Sequence, residues 1–296
     1  MDLSYWDTIR SVQPDLVIMM GDNVYGRKSS LKEEYRKLAS HPAFRRAQDI
    51  DKLCILATLD DNDYGRGGGG GDEIQLNTPQ DAVALFKDFF QPALVSNTAA
   101  GTYQSYQWMD QLQILLLDLR CSSSPRLPGN EPGMQFTPDY NDTTKTWLGT
   151  DQWLWLEREI ATKHVNLRLI VSPLQVLSTG HSFDCWNQLP YERMKLLQLL
   201  KSSSMNNNQR TILLSGDRHV SALYYQEGLH EITSSSLTHT VPLGMLECEH
   251  DFTRQSPFTY ENNFGVLELG QDHVLAKICS TRAGGEVLQQ WYLQLA

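Results

Sequence analysis

The sequence predicts one layered α/β domain, with two sheets packed together and helices outside them, and three observations predict it. Short apolar runs recur, each ending in polar residues. Helical patterns fall between the earlier runs. From Ser221 onward strand follows strand. Short continuous apolar runs bounded by turn signals read as strands buried on both faces. A mixed first part followed by a strand-rich part fits two packed sheets with outer helices. No Pro/Ser-rich linker divides the 296 residues, so the reading is a single domain over 1–296.

The elements follow in order. Residues 16–20 form the first run and enter Gly21-Asp22-Asn23-Val24-Tyr25. A charged, amphipathic helix spans 31–38. The run 53–58 leads into Asp60-Asp61-Asn62-Asp63-Tyr64-Gly65. Five glycines at 67–71 have nothing to pack and read as a mobile loop. They are not a phosphate loop, because no Lys-Ser or Lys-Thr follows. Pro79 starts a helix over 79–90, with Val83, Phe86 and Phe90 at helical spacing. The run 114–117 ends at Asp118-Leu119-Arg120. Thr150 is the expected N-cap of a helix over 151–161. Strand 167–171 enters Ser172-Pro173-Leu174-Gln175, and Pro190 precedes a helix over 191–201. Strand 211–214 runs into Ser215-Gly216-Asp217-Arg218-His219, and strands at 222–225, 231–234, 265–269, 273–278 and 287–295 follow.

Composition narrows the function. Hydrophobic residues make up 41% and charged residues 20%, which excludes wholesale disorder. The net charge is 25 − 35 = −10, against a nucleic-acid coat or a binder of acidic membranes. No apolar run approaches the length of a bilayer span. The first residues lack a basic region followed by an apolar stretch, so no signal peptide is read. Cys54, Cys121, Cys185, Cys248 and Cys279 show no CxxC pairing and no disulfide framework. Asn141-Asp142-Thr143 fits a glycosylation sequon, a pattern that chance often supplies.

Four strand ends carry candidate chemistry. The first offers Asp22 and Tyr25. Asp60 to Asp63 pack three carboxylates and an amide into four positions. Asp217 and His219 share one side of an extended segment, since i and i+2 share a face. Arg120 ends a leucine strand. Oxygen and nitrogen donors converging from separate strands make a hard-metal site, and a Tyr phenolate suits a trivalent ion. Such a site activates a water and polarises a phosphoryl oxygen. Bland readings stand beside each. Gly-Asp-Asn is ordinary turn chemistry, and Asp after a strand often bonds its own backbone. A lone His219 is more often a core or surface residue, and Arg120 an ion-pair partner. Trp153, Trp155 and Trp186 are most simply core. His164, His181, His239, His250 and His273 show no ligand spacing.

The joint order of motifs resembles the alkaline phosphatase D (PhoD-like) family of the metallophosphoesterases. The matching residues are Pro14-Asp15-Leu16; Gly21 to Tyr25; Asp60 to Gly65; Leu117 to Arg120; Leu148-Gly149 with Gln152 and Trp155-Leu156; Ser172 with Gln175-Val176-Leu177; Trp186 with Pro190, Glu192 and Arg193; Ser215 to His219; Thr233 to Thr240; and Asn263-Phe264-Gly265. The resemblance implies a four-layer α/β/β/α sandwich of two mixed sheets, a dinuclear site of Fe3+ with Ca2+, and hydrolysis of phosphate mono- or diesters. It matches Asp22 to the bridging carboxylate, Tyr25 to the iron-binding phenolate and Asp61 to the second metal. Asp217 and His219 match the late metal and phosphate positions. Arg120 is assigned to charge on the phosphate. Members are often exported, which implies a secreted or secretory-pathway protein.

Two departures qualify that expectation. Where the family reads Trp-Asp-Asp-His-Asp-Tyr-Gly, this chain has Leu59 and Asn62. Asn62 donates a hydrogen bond but cannot serve as a general acid near neutral pH. The family also begins with a strand ending in a Gly-Ser-Cys-like motif that supplies a first ligand. Here Trp6 to Ile9 matches the helix that follows it, so the domain reads as N-terminally incomplete. The alternatives are a catalytically impaired relative that keeps the fold for metal, phosphate or partner binding, and a calcium module built on the acidic loop at 60–63.

Overall fold

The computed structural model describes residues 3–26, 30–49, 53–64, 78–90, 101–108, 111–162, 165–207, 209–242 and 249–294. The glycine run at 67–71 lies outside them. In chain order come α1 (Tyr5–Ser11), β1 (Leu16–Met20), α2 (Leu31–Ser40), α3 (Pro42–Gln48), β2 (Cys54–Thr58), α4 (Pro79–Phe90), β3 (Gln104–Trp108) and β4 (Leu112–Leu116). The short pair β5 (Leu127–Pro128) and β6 (Phe136–Thr137) leads to α5 (Gly149–Thr162), β7 (Leu167–Ser172), α6 (Pro190–Asn207) and β8 (Arg210–Ser215). Strands β9 (Ser221–Gln226), β10 (Leu229–Ser234), β11 (Asn263–Leu269), β12 (His273–Ser280) and β13 (Val287–Gln294) complete the order.

The largest sheet has six strands in the order β3-β4-β7-β8-β10-β9. Its interior pairs are parallel and both outer pairs antiparallel. Alternating side chains divide its two faces. Leu115, Ile170 and Leu213 pack with Trp153, Leu156 and Leu196 of α5 and α6. Ile114, Leu169 and Ile212 face the other way, against Leu56 of β2 and Val274, Ala276 and Ile278 of β12. Parallel β1–β2 and the antiparallel β11-β12-β13 meander form that second layer. Helices α1 to α4 cover its outer side through Trp6, Leu31, Phe44 and Phe86. The order is therefore helix, sheet, sheet, helix, as expected.

Four elements escaped the sequence pattern, the two-residue strands β5 and β6 and two longer ones. Helix α3 is only two turns long, and its signal is local: His41 Nδ1 accepts from the Ala43 amide at 3.3 Å, with Pro42 at the first turn. Strand β3 alternates rather than running apolar, because it is an antiparallel edge strand.

The expected Thr150 cap is also displaced. Helix α5 begins at Gly149, and its start is held from a distance by Glu192 of α6. This buried carboxylate accepts from the Trp147 and Leu148 amides, Thr146 Oγ1 and Trp153 Nε1. Glu192→Ala would leave those donors buried without a partner, at about 1–3 kcal/mol each before relaxation. A net loss of about 3–5 kcal/mol is expected in urea unfolding; an unchanged midpoint would refute the capping role.

Strand β1 departs from the buried-strand expectation. All five of its apolar residues are only half-buried. Among the described residues it pairs with β2 alone, and β11 pairs with β12 alone. Between the two unpaired edges lies a cavity of about 960 Å³, lined by Leu16 to Met20 on one side and Phe264 to Leu269 on the other. Asp22, Asp217 and His219 also line it.

Candidate active site

Three strand ends meet here because two glycines let them. Gly21 has φ +100°, and a Cβ on it would lie 2.6 Å from Asp60 Cβ. At Gly216 a Cβ would stand 2.5 Å from the Met20 carbonyl oxygen. The loops after β1, β2 and β8 thus abut. Asp22 (φ 51°), Asp217 (φ 63°) and His219 (φ 53°) all adopt the left-handed region. Asp, Asn and His enter it more readily than other side-chain-bearing residues, but at a cost, and such strain collects at functional sites.

Ligand oxygens of Asp22, Asp60 and Asp61 lie within 4.8 Å of one another. Asn62 Nδ2 donates to Asp22 Oδ2 at 2.8 Å and to Asp61 Oδ1 at 3.1 Å. Tyr25 Oη donates to Asp22 Oδ2 at 3.1 Å. Burial, then Asp61, Asp63 and Asp217, push the Asp22 carboxyl well above the usual carboxylate range. Burial, then Asp60 and Asp61, do the same to Asp217. Tyr25 is raised by burial and by Asp22. Each carboxylate makes its neighbours costlier to ionise, and a multivalent cation reverses that logic. Asp60 Oδ2 is buried and accepts no hydrogen bond. An all-oxygen donor set with an unused buried oxygen fits a hard cation.

Not every acidic residue of the loop belongs to that set. Asp63 accepts from the amides of Asn23, Val24 and Asp60, from Asn23 Nδ2 and from Tyr35 Oη. Burial raises it to about 7, opposed by those amides. It ties the β1 loop to the β2 loop, which is the bland turn reading.

Arg120 is fully committed to carboxylates. Its Nε donates to Asp60 Oδ1 at 2.6 Å, and its Nη1 to Asp184 Oδ2 at 2.8 Å. Arg126 pairs with Asp184 as well, at 2.9 Å. Arg120 therefore reaches the acidic cluster through Asp60. In the β8 loop, Arg218 turns away to Glu249 at 2.6 Å, while Asp217 and His219 line one cavity; the segment is a bend with both residues left-handed, not the extended stretch that i, i+2 spacing assumes.

His239 was missed by spacing arguments. Its ring stands 4.1 Å from that of His219 and 5.8 Å from that of Tyr25, centroid to centroid. The stretch Thr233 to Thr240 held the only signal, and nothing local marked which of its residues turns inward. His181 is unrelated to these rings: it sits half-buried with a ring nitrogen 3.0 Å from Gln175 Oε1, and desolvation with the Arg218 cation holds its pKa well below normal.

A family model described as PhoD-like phosphatase matches residues 71–265. No curated protein matches the chain. A solved structure described as PhoD superposes with a TM-score of 0.74 at 16% identity, covering 98% of this chain and 66% of that one. A Plasmodium protein, described as GAP50, the anchor in the inner membrane complex, gives 0.58 at 14% identity, over 99% of this chain and 82% of that one. Purple acid phosphatase PPD1 from yellow lupin seeds gives 0.58 at 11% identity, over 98% and 48%. At these identities the likeness is one of fold. The chain spans just under two-thirds of the PhoD structure and about half of the lupin enzyme.

Proposed function

The chain belongs to the PhoD-like phosphatase family, and on that premise we propose that it is a metal-dependent hydrolase of phosphate esters, monoesters or diesters, using Fe3+ with Ca2+. The observation that carries this reading is the clustering of Asp22 and Asp61 with Asp60, whose ligand oxygens lie within 4.8 Å of one another, beside a cavity that Asp22 and Asp217 both line. Asp22, Asp61, Asp217 and Tyr25 would hold the cations. When bound, these supply Lewis acidity toward a phosphoryl oxygen and lower the pKa of an attacking water.

The chain's own residues supply the rest. His219, on the cavity wall, donates a hydrogen bond to an equatorial phosphoryl oxygen, where charge accumulates. Asn62 orients Asp22 and Asp61 through its amide and offers no proton to a leaving group. Substrates with good leaving groups, such as aryl phosphates, need that proton least and are expected to turn over best.

Asn62 also favours a second reading, an impaired relative that keeps the fold to bind metal, phosphate or a partner. Tyr25 gives the test. A phenolate on ferric iron absorbs in the visible. Iron-loaded protein is expected to be coloured and to cleave aryl phosphates, and Tyr25→Phe is expected to lose the colour. Colour without turnover favours the impaired relative. A colourless protein that binds only Ca2+ removes the iron from the proposal.

The open edges of β1 and β11 support a structural extension of this reading: one added strand would complete the second sheet and enclose the site.

A further inference from the structure

We propose that Asp60 is itself a metal ligand, presenting Oδ2 to the cation held by Asp22 and Asp61 while Arg120 fixes Oδ1. The inference rests on the metal reading above. The competing account makes Asp60 only the ion-pair partner of Arg120, and the geometry of that pair argues against it. An arginine that merely neutralises a carboxylate commonly engages both oxygens in parallel. Here Arg120 Nε lies 2.6 Å from Asp60 Oδ1, and Nη2 lies 2.5 Å from the same oxygen. The remaining contact of the guanidinium goes to Asp184.

Asp60 Oδ2 is thereby left over. Asp60 is 0% exposed, and this oxygen has no hydrogen-bond donor. A buried acceptor without a partner is costly, and its persistence calls for an occupant. Asp60 supplies one of the three ligand atoms that lie within 4.8 Å of one another, with Asp22 and Asp61. Oxygens so spaced can surround a Ca2+ ion at about 2.3–2.6 Å. Gly21 lies beside the same side chain: a Cβ at that position would stand 3.3 Å from Oδ2 and 2.6 Å from the Asp60 Cβ, so only glycine leaves the carboxylate its place.

The consequence is chemical. With Asp22, Asp61 and Asp217, Asp60 makes four carboxylates against one guanidinium. Such a set favours a hard, oxygen-seeking divalent ion over a soft one.

The test uses the full chain stripped of metal, with Ca2+ titrated by calorimetry and its effect on Tm followed in parallel. Asp60→Asn keeps an acceptor for Arg120 but loses the anionic donor. Asp184→Asn is the control, since it weakens the other partner of Arg120. Asp60→Asn is expected to weaken Ca2+ binding at least tenfold and to abolish most of the Ca2+-induced rise in Tm. Asp184→Asn is expected to leave Ca2+ affinity within about twofold. Equal effects of the two variants, or unchanged affinity in Asp60→Asn, overturn the inference.

Asp60→Cys keeps the test decisive if the amide variant fails to fold. A thiolate at a ligand position takes Cd2+ in preference to Ca2+. An ultraviolet sulfur-to-cadmium band absent from the parent supports ligation, and its absence in folded Asp60→Cys refutes it. Asp22→Asn separates the two levels. If the parent binds no Ca2+, the metal reading falls together with the inference. If Asp22→Asn loses Ca2+ and Asp60→Asn does not, only the role of Asp60 falls.

Discussion

Asp22→Ala is expected to lose bound metal and phosphoester hydrolysis together. Asp22 stands at the centre of the constellation, accepting from Asn62 and Tyr25 and sharing its surroundings with Asp60 and Asp61. Removing it takes away an anionic donor and the Asn62 amide's 2.8 Å partner, keeping the longer bond to Asp61 Oδ1 at 3.1 Å. It also places alanine at φ 51°, which that residue tolerates poorly. A fall in kcat/KM on the order of a thousandfold is expected, the scale of losing a major transition-state charge contact. Elemental analysis of the purified variant supplies the check. Metal content equal to the parent's would show that Asp22 is not a ligand, whatever the activity does.

The second large effect concerns the slot between β1 and β11. An apolar strand joined by a short linker ahead of α1 is expected to occupy it, because both walls are strand edges that, among the described residues, pair with no strand on that side. The occupant would bury apolar surface on both faces, at about 25 cal/mol per Å². Ordering it costs about 1–2 kcal/mol per residue, so the net gain is a few kcal/mol. That corresponds to a rise in Tm of roughly 5–10 °C for a domain of this size.

On the grafted protein, Asn62→His is expected to raise turnover, since a positioned acid is typically worth roughly a hundred- to ten-thousand-fold. On the parent it is expected to do little. There the imidazole loses the bridge that the Asn62 amide makes between Asp22 and Asp61 without an enclosed site to act in. Calorimetry and aryl phosphate assays on the four proteins check this. A graft that leaves Tm unchanged, or an Asn62→His effect that is the same with and without it, would refute the coupling.

Much of the fold was readable because burial writes itself into local pattern. The apolar runs Leu169 to Val171 and Ile212 to Leu214 lie in strands covered on both faces, so the central strands declared themselves. Asp217 and His219 do line one cavity, but not by the period of an extended chain: both sit in the left-handed region, so the bend after β8 and not strand alternation brings them there. The motifs placed Asp22, Tyr25, Asp61 and Asn62 in one site before any geometry was known.

Other features depend on neighbours remote in sequence. Glu192 caps a helix that begins 43 residues before it, and no window around Thr150 contains that carboxylate. The half-exposure of β1 is invisible in Leu-Val-Ile-Met-Met, because exposure depends on what lies along its edge and not on the strand itself. Asp60 and Asp63 are three residues apart and chemically identical. Tertiary contacts alone divide them, giving one five hydrogen-bond donors and leaving the other a buried oxygen with none. Sequence determined which residue types crowd the strand ends, since periodicity and turn chemistry are local. Only the folded chain decided which oxygens still lack a partner, because a hydrogen bond is settled by what lies within about 3 Å in space.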